Sequence, residues 1–386
     1  MQRPKCSNCQ RRNEKCSFSL DAQQLQLPVA LIKTGPPTLV ANLPALNLED
    51  LELLHHFSTE VYATLSARPA VRRVWQKAVP KDAVTHPHLM HCILAISALH
   101  LANQEYEGQD SEAQERYRRA ALRHEAAAIS LCWPLLNHVT AANCQSLFTS
   151  GWILGIFTAA RNQVSDMSNS DTVIEGVLAI GQQARGVYAV LDACDQWLRS
   201  GEFDVFLRLN PWDDAPPIVP DIDEALQAIY KTIEASLEYD EARRSMYSAA
   251  IKLLRFSFQA PTVNPQYPTV VFSWLSFMDR NFVGLMEQKD AMALVILAHY
   301  GVLLHTAASW WWCGDLGARL VKSIYDSLEQ SRHLLTWPVS KVEISVERNG
   351  SCGTVAKTQK SCDRLKTDQP SLSRGEGLEN SRGEAN

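Results

Sequence analysis

The sequence predicts an all-α fold, and three observations carry that expectation. The stretch Val79–Ala102 is apolar on every side of a helical wheel: Leu89, Cys92, Ile93, Ile96 and Leu99 make one face, and Met90, Leu94, Ala98 and Leu101 another. A helix apolar all round belongs inside a large protein or a membrane. Ala291–Cys313 carries no formal charge. Between these two runs, apolar residues recur at helical spacing in segment after segment.

Bulk properties agree with a folded protein. The chain has 386 residues, 46% hydrophobic and 20% charged, enough for one large domain or two ordinary ones. A net charge of −5 offers no overall attraction to nucleic acid, so any DNA contact must come from a local basic patch. Met1 leads straight into polar and charged residues without a signal peptide, which points to an intracellular setting. There Cys92, Cys132, Cys144 and Cys194 are expected as reduced, buried small hydrophobes.

Taken in order, the first sixteen residues hold Cys6, Cys9 and Cys16, interleaved with Arg3, Lys5, Arg11, Arg12 and Lys15. Thiolates two residues apart chelate zinc readily, but a closed structural site needs four ligands. Residues 21–46, rich in Gln, Leu and Pro around Gly35-Pro36-Pro37, read as a linker. Asn47 is the expected cap of the first domain helix, with Asp50 in its acidic first turn and Leu48, Leu51, Leu54 and Phe57 on its apolar face. Thr85 is the expected N-cap of the central helix, with Pro87 in its first turn.

Glu105–Leu131 is expected as a second helix, with Glu112–Arg116 and Glu115–Arg119 in the favourable order for ion pairs. His124-Glu125 starts a zinc-protease pattern that fails at Ala128, where a second His is required. Ser146–Ala160 is another buried run, and Leu178–Leu198 an amphipathic helix. Asn210–Asp223 reads as a solvated acidic loop, because Asp213 and Asp214 run into prolines that prevent a helical Mg²⁺ site. Helices follow over Asp223–Phe258 and Tyr267–Leu285. Ala291–Cys313 meets the length rule for a membrane span, but His299, His305, Thr306 and Ser309 interrupt it and no cationic cluster flanks it. It reads as a buried helix ending near Trp310-Trp311-Trp312, followed by Leu316–Leu335. Large aromatics beside an uncharged helix would suit a flat apolar ligand, although plain core packing explains them as well. Residues 341–386 lack aromatics and large aliphatics and are expected not to fold alone.

Several stretches carry a resemblance. Asp50-Leu51-Glu52-Leu53-Leu54-His55-His56-Phe57, Trp75-Gln76, His86-Pro87, Leu89-Met90-His91 and Ser97-Ala98-Leu99-His100-Leu101-Ala102 resemble the regulatory domain of fungal zinc-cluster transcription factors, of the sterol uptake control type. Trp310-Trp311, Gly314 and Trp337-Pro338 resemble its C-terminal end. Pro4–Cys16 resembles the second half of a six-cysteine binuclear zinc cluster. The resemblance implies that Cys6 bridges two zinc ions, that Cys9 and Cys16 are terminal ligands, and that Arg11, Arg12 and Lys15 contact DNA phosphates. The first half of the cluster would lie before Met1; either the start is placed too late or the finger has been lost.

The implied organisation is a partial zinc-cluster segment (1–20), a linker (21–46), a helical regulatory domain (47–340) and a tail (341–386). The implied function is regulation of transcription in the nucleus, with some shuttling from the cytoplasm. The helical domain would sense a sterol-like ligand and control sterol or secondary-metabolite genes, as a homo- or heterodimer and without a membrane span. A fingerless corepressor and a helical lipid-binding protein are the alternatives. An enzyme ranks below both, because no nucleophile–base set, phosphate-cradling loop or complete metal site is present. Ligand-contacting residues are not identifiable from the sequence.

Overall fold

Helix follows helix through the chain because long apolar stripes alternate with short polar caps. The computed structural model describes residues 48–108, 110–164, 170–207, 217–237, 239–263 and 268–342, and among these there is no strand. Cys6, Cys9, Cys16, Arg11, Arg12, Lys15, the linker and residues 343–386 lie outside the described residues, as does Asn47.

The first helix, α1 (Leu48–His56), continues through a π-helical turn, Phe57–Val61, into Tyr62–Thr64. Its buried stripe keeps Phe57 and, in part, Leu54 of the expected one but not the two leucines before them. Leu48 and Leu51 are 84% and 52% exposed, whereas Asp50, Leu53, Phe57, Val61 and Leu65 face the interior. The helix is turned so that the Asp50 carboxylate meets a buried histidine, and that polar contact overrides the leucine spacing. Next, α2 (Pro69–Arg73) runs through Val74–Ala78 into Val79–Ala83 as one helical rod.

The central helix, α3 (Pro87–Gly108), is buried at every position from 91 to 100. Thr85 does not cap it. Its hydroxyl donates back to the Asp82 carbonyl (3.2 Å), and the His86 carbonyl accepts from Leu89 and Met90 instead. α3 reaches past Glu105, so the second helix starts later than expected, as α4 (Ser111–Leu135), where Asp110 accepts from the backbone of Glu112 and Ala113. Glu115 and Arg119 approach to 3.8 Å, while Arg116 lies over the Tyr117 ring.

α3 and α4 form an antiparallel pair, and α5 (Cys144–Val164) with α6 (Ser170–Leu198) forms a second pair packed on α3. The helix expected over Asp223–Phe258 is two. α7 (Pro220–Ala235) begins earlier, because Pro220 suits a first turn, and it ends where Ser236 turns extended. α8 (Glu241–Val263) restarts on the Asp240 side chain, which accepts from the Arg243 backbone at 2.8 Å. Tyr267–Leu285 likewise divides into a 3-10 turn at Pro268–Phe272, α9 (Ser273–Phe277) and α10 (Arg280–Glu287). The break comes at Met278 and Asp279, both extended, with Asp279 capping α10. Asp223, expected at the end of a loop, sits inside α7 and pairs with Arg255 at 2.5 Å.

The uncharged segment becomes α11 (Ala291–His305), capped by Asp290 and buried at all but a few positions. No helix among the described residues is long and apolar enough to cross a membrane. A turn through the tryptophans, with Gly314 at φ +47°, leads to α12 (Leu316–Ser327). A last helical turn covers 336–342, where Val342 is buried and Lys341 reaches Asp221 at 2.8 Å. Cys92, Cys132, Cys144, Cys194 and Cys313 are all free thiols in the interior.

Candidate ligand-binding site

A cavity of about 180 Å³ opens where five separated pieces of chain meet: the segment after α1, α2, α5, α6 and the 268–276 region. Each piece contributes one stripe of its apolar face, and Phe206, in a 3-10 turn at Glu202–Phe206, ties them together. Its ring lies 5.4 Å from Trp75, 5.7 Å from Phe148 and 5.8 Å from Trp152, in edge or tilted contacts. Ala184, Val187 and Leu191 of α6 supply an aliphatic wall, with Tyr188 at the rim. Gly155 of α5 leaves space, for a Cβ there would meet nothing within 4 Å.

The polar groups at this cavity are few. The Arg68 guanidinium, largely buried, donates to the Val205 carbonyl at 3.1 Å. The indole N–H groups of Trp75 and Trp152 and the Ser273 hydroxyl are buried without a hydrogen-bond partner. All four residues line the cavity. Orphaned buried donors are costly, which makes such a wall receptive to a ligand carrying an acceptor. A largely apolar hollow with a few convergent polar groups is the usual form of a small-molecule site.

Neither α11 nor Trp310–Trp312 lines this hollow. Of the two readings the sequence leaves open for those aromatics, they take core packing, with Trp312 buried and Trp310 and Trp311 partly buried against the core. Trp312 is fully buried against Phe272, the Trp311 N–H donates to Thr64 at 2.9 Å, and Tyr300 stacks on Trp274 at 4.8 Å. His299 donates its Nδ1–H to the Val295 carbonyl and stacks on Trp337. Trp75 and Trp152 are visible in the sequence only as single aromatics. Nothing in their spacing marks them as neighbours of Phe206.

A second group of polar side chains is structural. His91 Nδ1 and His124 Nδ1 are 2.8 Å apart, and His124 Nε2 lies 3.3 Å from Asp50. His56 and His100 make a second pair at 2.9 Å, with Trp311 edge-on to His100. Burial depresses His124 to about 4, and burial with His56 alongside takes His100 to about 3. These neutral rings fasten α1 and the tryptophan turn onto α3. Among the described residues no three His, Cys, Asp or Glu side chains are grouped to hold a metal.

Residues 52–201 match the family described as fungal specific transcription factor domain. Over 320 residues the chain is 23% identical to a Zn(2)-C6 fungal-type transcription factor of Gibberella zeae, covering 75% of this chain and 61% of that one. It is 24% identical to sterol uptake control protein 2 of Saccharomyces cerevisiae, covering 68% of this chain but 28% of that protein. A Zn(2)-C6 fungal-type transcription factor of Aspergillus fumigatus matches at 24% over 80% of this chain and 83% of its own. The chain therefore spans less than two thirds of the length of the first two relatives. Residues 52–201 thus carry a match to the fungal specific transcription factor domain, and the chain is similar to fungal zinc-cluster transcription factors at 23–24% identity.

Proposed function

We propose that the helical domain, residues 47–340 with the turn that completes it, is a sensor for a sterol-like apolar ligand and acts in the nucleus on sterol or secondary-metabolite genes. DNA contact through this chain would be weak or lost: Cys6, Cys9 and Cys16 alone leave a zinc site incomplete, and Arg11, Arg12 and Lys15 would reach phosphates only. The observation that supports the sensor reading is the aromatic cavity around Phe206, with its unpartnered Trp75, Trp152 and Ser273 groups. Two relatives are named for sterol uptake control, in agreement with it. At about 180 Å³ the hollow lies below the usual range of about 300–1,000 Å³ for ligand sites. It admits one end of a sterol as it stands, and the rest must occupy the mouth or push the walls outward.

The test is a melting series of the purified chain with ergosterol, a second sterol and a fatty acid. A ligand at a hundredfold excess over Kd adds about 2.7 kcal/mol of stability, a rise of roughly 4–8 °C in a domain of this size. Gly155→Leu fills the hollow and should remove the response while leaving the unliganded midpoint close to that of the parent. If no ligand moves the midpoint of the parent protein, and it purifies without bound lipid, the sensor reading is wrong.

A further inference from the structure

A different face of the domain bears a charge pattern that the cavity does not use. From Arg68 to Lys81 the chain has five cationic residues and no acidic one, within a protein whose net charge is −5. Two of the five are spoken for: Arg68 donates to Val205, and Arg72 donates to the Ser66 carbonyl at 2.6 Å. The other three, Arg73, Lys77 and Lys81, are exposed, four residues apart along the α2 rod, and paired with no carboxylate among the described residues. They line one wall of a groove of about 700 Å³, whose other wall is Gly201, Glu202 and Val205. Like charges four apart on a helix repel, so the row is locally unfavourable until an anion meets it.

We propose that this groove binds an acidic segment of a partner protein in extended conformation. One helical turn, π-helical between Arg73 and Lys77, separates successive cations by about 5–6 Å. Alternate residues of an extended chain are separated by about 6.6 Å, so acidic residues at every second position meet the three cations in step. Glu202, across the groove, disfavours the reversed placement of those carboxylates. No aromatic ring lines the groove, so it lacks the stacking platform by which single-stranded nucleic acids are held.

The experiment is fluorescence anisotropy with the full 386-residue chain and a labelled peptide of alternating Glu and Ala, about ten residues long. Saturable binding that weakens as salt rises is expected. The matching Gln–Ala peptide should not bind. The triple variant Arg73→Glu, Lys77→Glu, Lys81→Glu should bind the acidic peptide at least tenfold more weakly with an unchanged melting midpoint, since all three side chains are exposed. If that variant fails to fold, the neutral set Arg73→Gln, Lys77→Gln, Lys81→Gln replaces it and should show the same direction. Equal binding by the variant, or by the Gln–Ala peptide, overturns the proposal. So does a DNA duplex that binds more tightly than the peptide and loses that binding in the variant.

Discussion

His91 and His124 face each other through their Nδ1 atoms, 2.8 Å apart, in the seam between α3 and α4. Such a contact needs one N–H and one lone pair, so at most one of the two rings can be fully protonated while it lasts. Asp50, Glu49 and Arg123 are the charged groups facing the pair, and burial outweighs the two carboxylates, holding both rings below the ordinary histidine value.

Stability is therefore expected to fall with acid. His88, His124 and His299 are depressed to about 4 and His100 to about 3, all by burial first. A folded value below the unfolded one means the unfolded chain binds more protons, so stability is complete above about pH 6.5 and lost as pH drops toward 4. Each such histidine costs on the order of 2 kcal/mol by pH 5, and two or three of them rival the whole stability of an ordinary domain. Melting midpoints at pH 7.5, 6.5, 5.5 and 5.0 should be flat between the first two and fall steeply after. A midpoint unchanged down to pH 5 would contradict the buried, neutral assignment.

Asp50 supplies the second prediction. Its carboxylate is 2% exposed and His124 1%, so His124→Ala takes one hydrogen-bonding neighbour from a buried acid. Taking a neutral donor from a buried carboxylate costs about 1–3 kcal/mol, whereas removing both partners costs less. His124→Ala should therefore be more destabilising than the double variant with Asp50→Ala, as read by urea unfolding. Simple additivity of the two single changes would show that the pair is uncoupled.

That contact also marks where the sequence stops being legible. The existence and order of the helices can be read because 3.6-residue periodicity and proline or aspartate caps are local signals. The face of α1 cannot, since Leu48 and Leu51 look like core until Asp50 is seen against His124, which is remote in the chain. The single helix expected over 223–258 fails for a related reason: Asp240 caps more strongly than the surrounding helix formers propagate. The cavity depends on Phe206 touching Trp75, Phe148 and Trp152, long-range contacts that leave no periodic trace. The uncharged α11 reads correctly as buried, but whether it also walls a pocket stays open in the sequence, because hydrophobicity reports burial and not what lies alongside.

The last helical turn carries the third prediction. Trp337 donates to Asp221 at 2.9 Å and stacks on His299, Lys341 pairs with the same aspartate, and Val342 is buried. A chain ending at Ser340 loses the valine and the exposed ion pair but keeps the tryptophan. Most of the cost is the valine, about 1.5–2 kcal/mol, since the ion pair is exposed to solvent. Its midpoint should lie about 2–5 °C below that of a chain ending at Glu343. Equal midpoints would place the end of the domain before Lys341.

The crossing of α11 and α12 gives the last. A Cβ on Gly317 would stand 2.5 Å from the Gly301 carbonyl oxygen and 2.5 Å from the His305 backbone nitrogen. Both obstacles are backbone, which cannot rotate away, so Gly317→Ala must push the buried helices α11 and α12 away from each other. Overpacking of that kind costs about 1–3 kcal/mol or more. Gly301→Ala meets the Val321 methyl at 2.7 Å and the Gly317 carbonyl at 3.2 Å; the side chain can yield somewhat, so its penalty should be the smaller of the two. Gly186 is the control, exposed in the interior of α6 with nothing within 4 Å of its Cβ. There alanine improves helix propensity with no steric penalty, and Gly186→Ala should raise stability by about 0.5–1 kcal/mol. Unfolding curves of the three variants under one set of conditions should therefore rank Gly186→Ala above the parent, Gly301→Ala below it and Gly317→Ala lowest. A Gly317→Ala protein as stable as the parent would mean that α11 and α12 do not approach backbone to backbone.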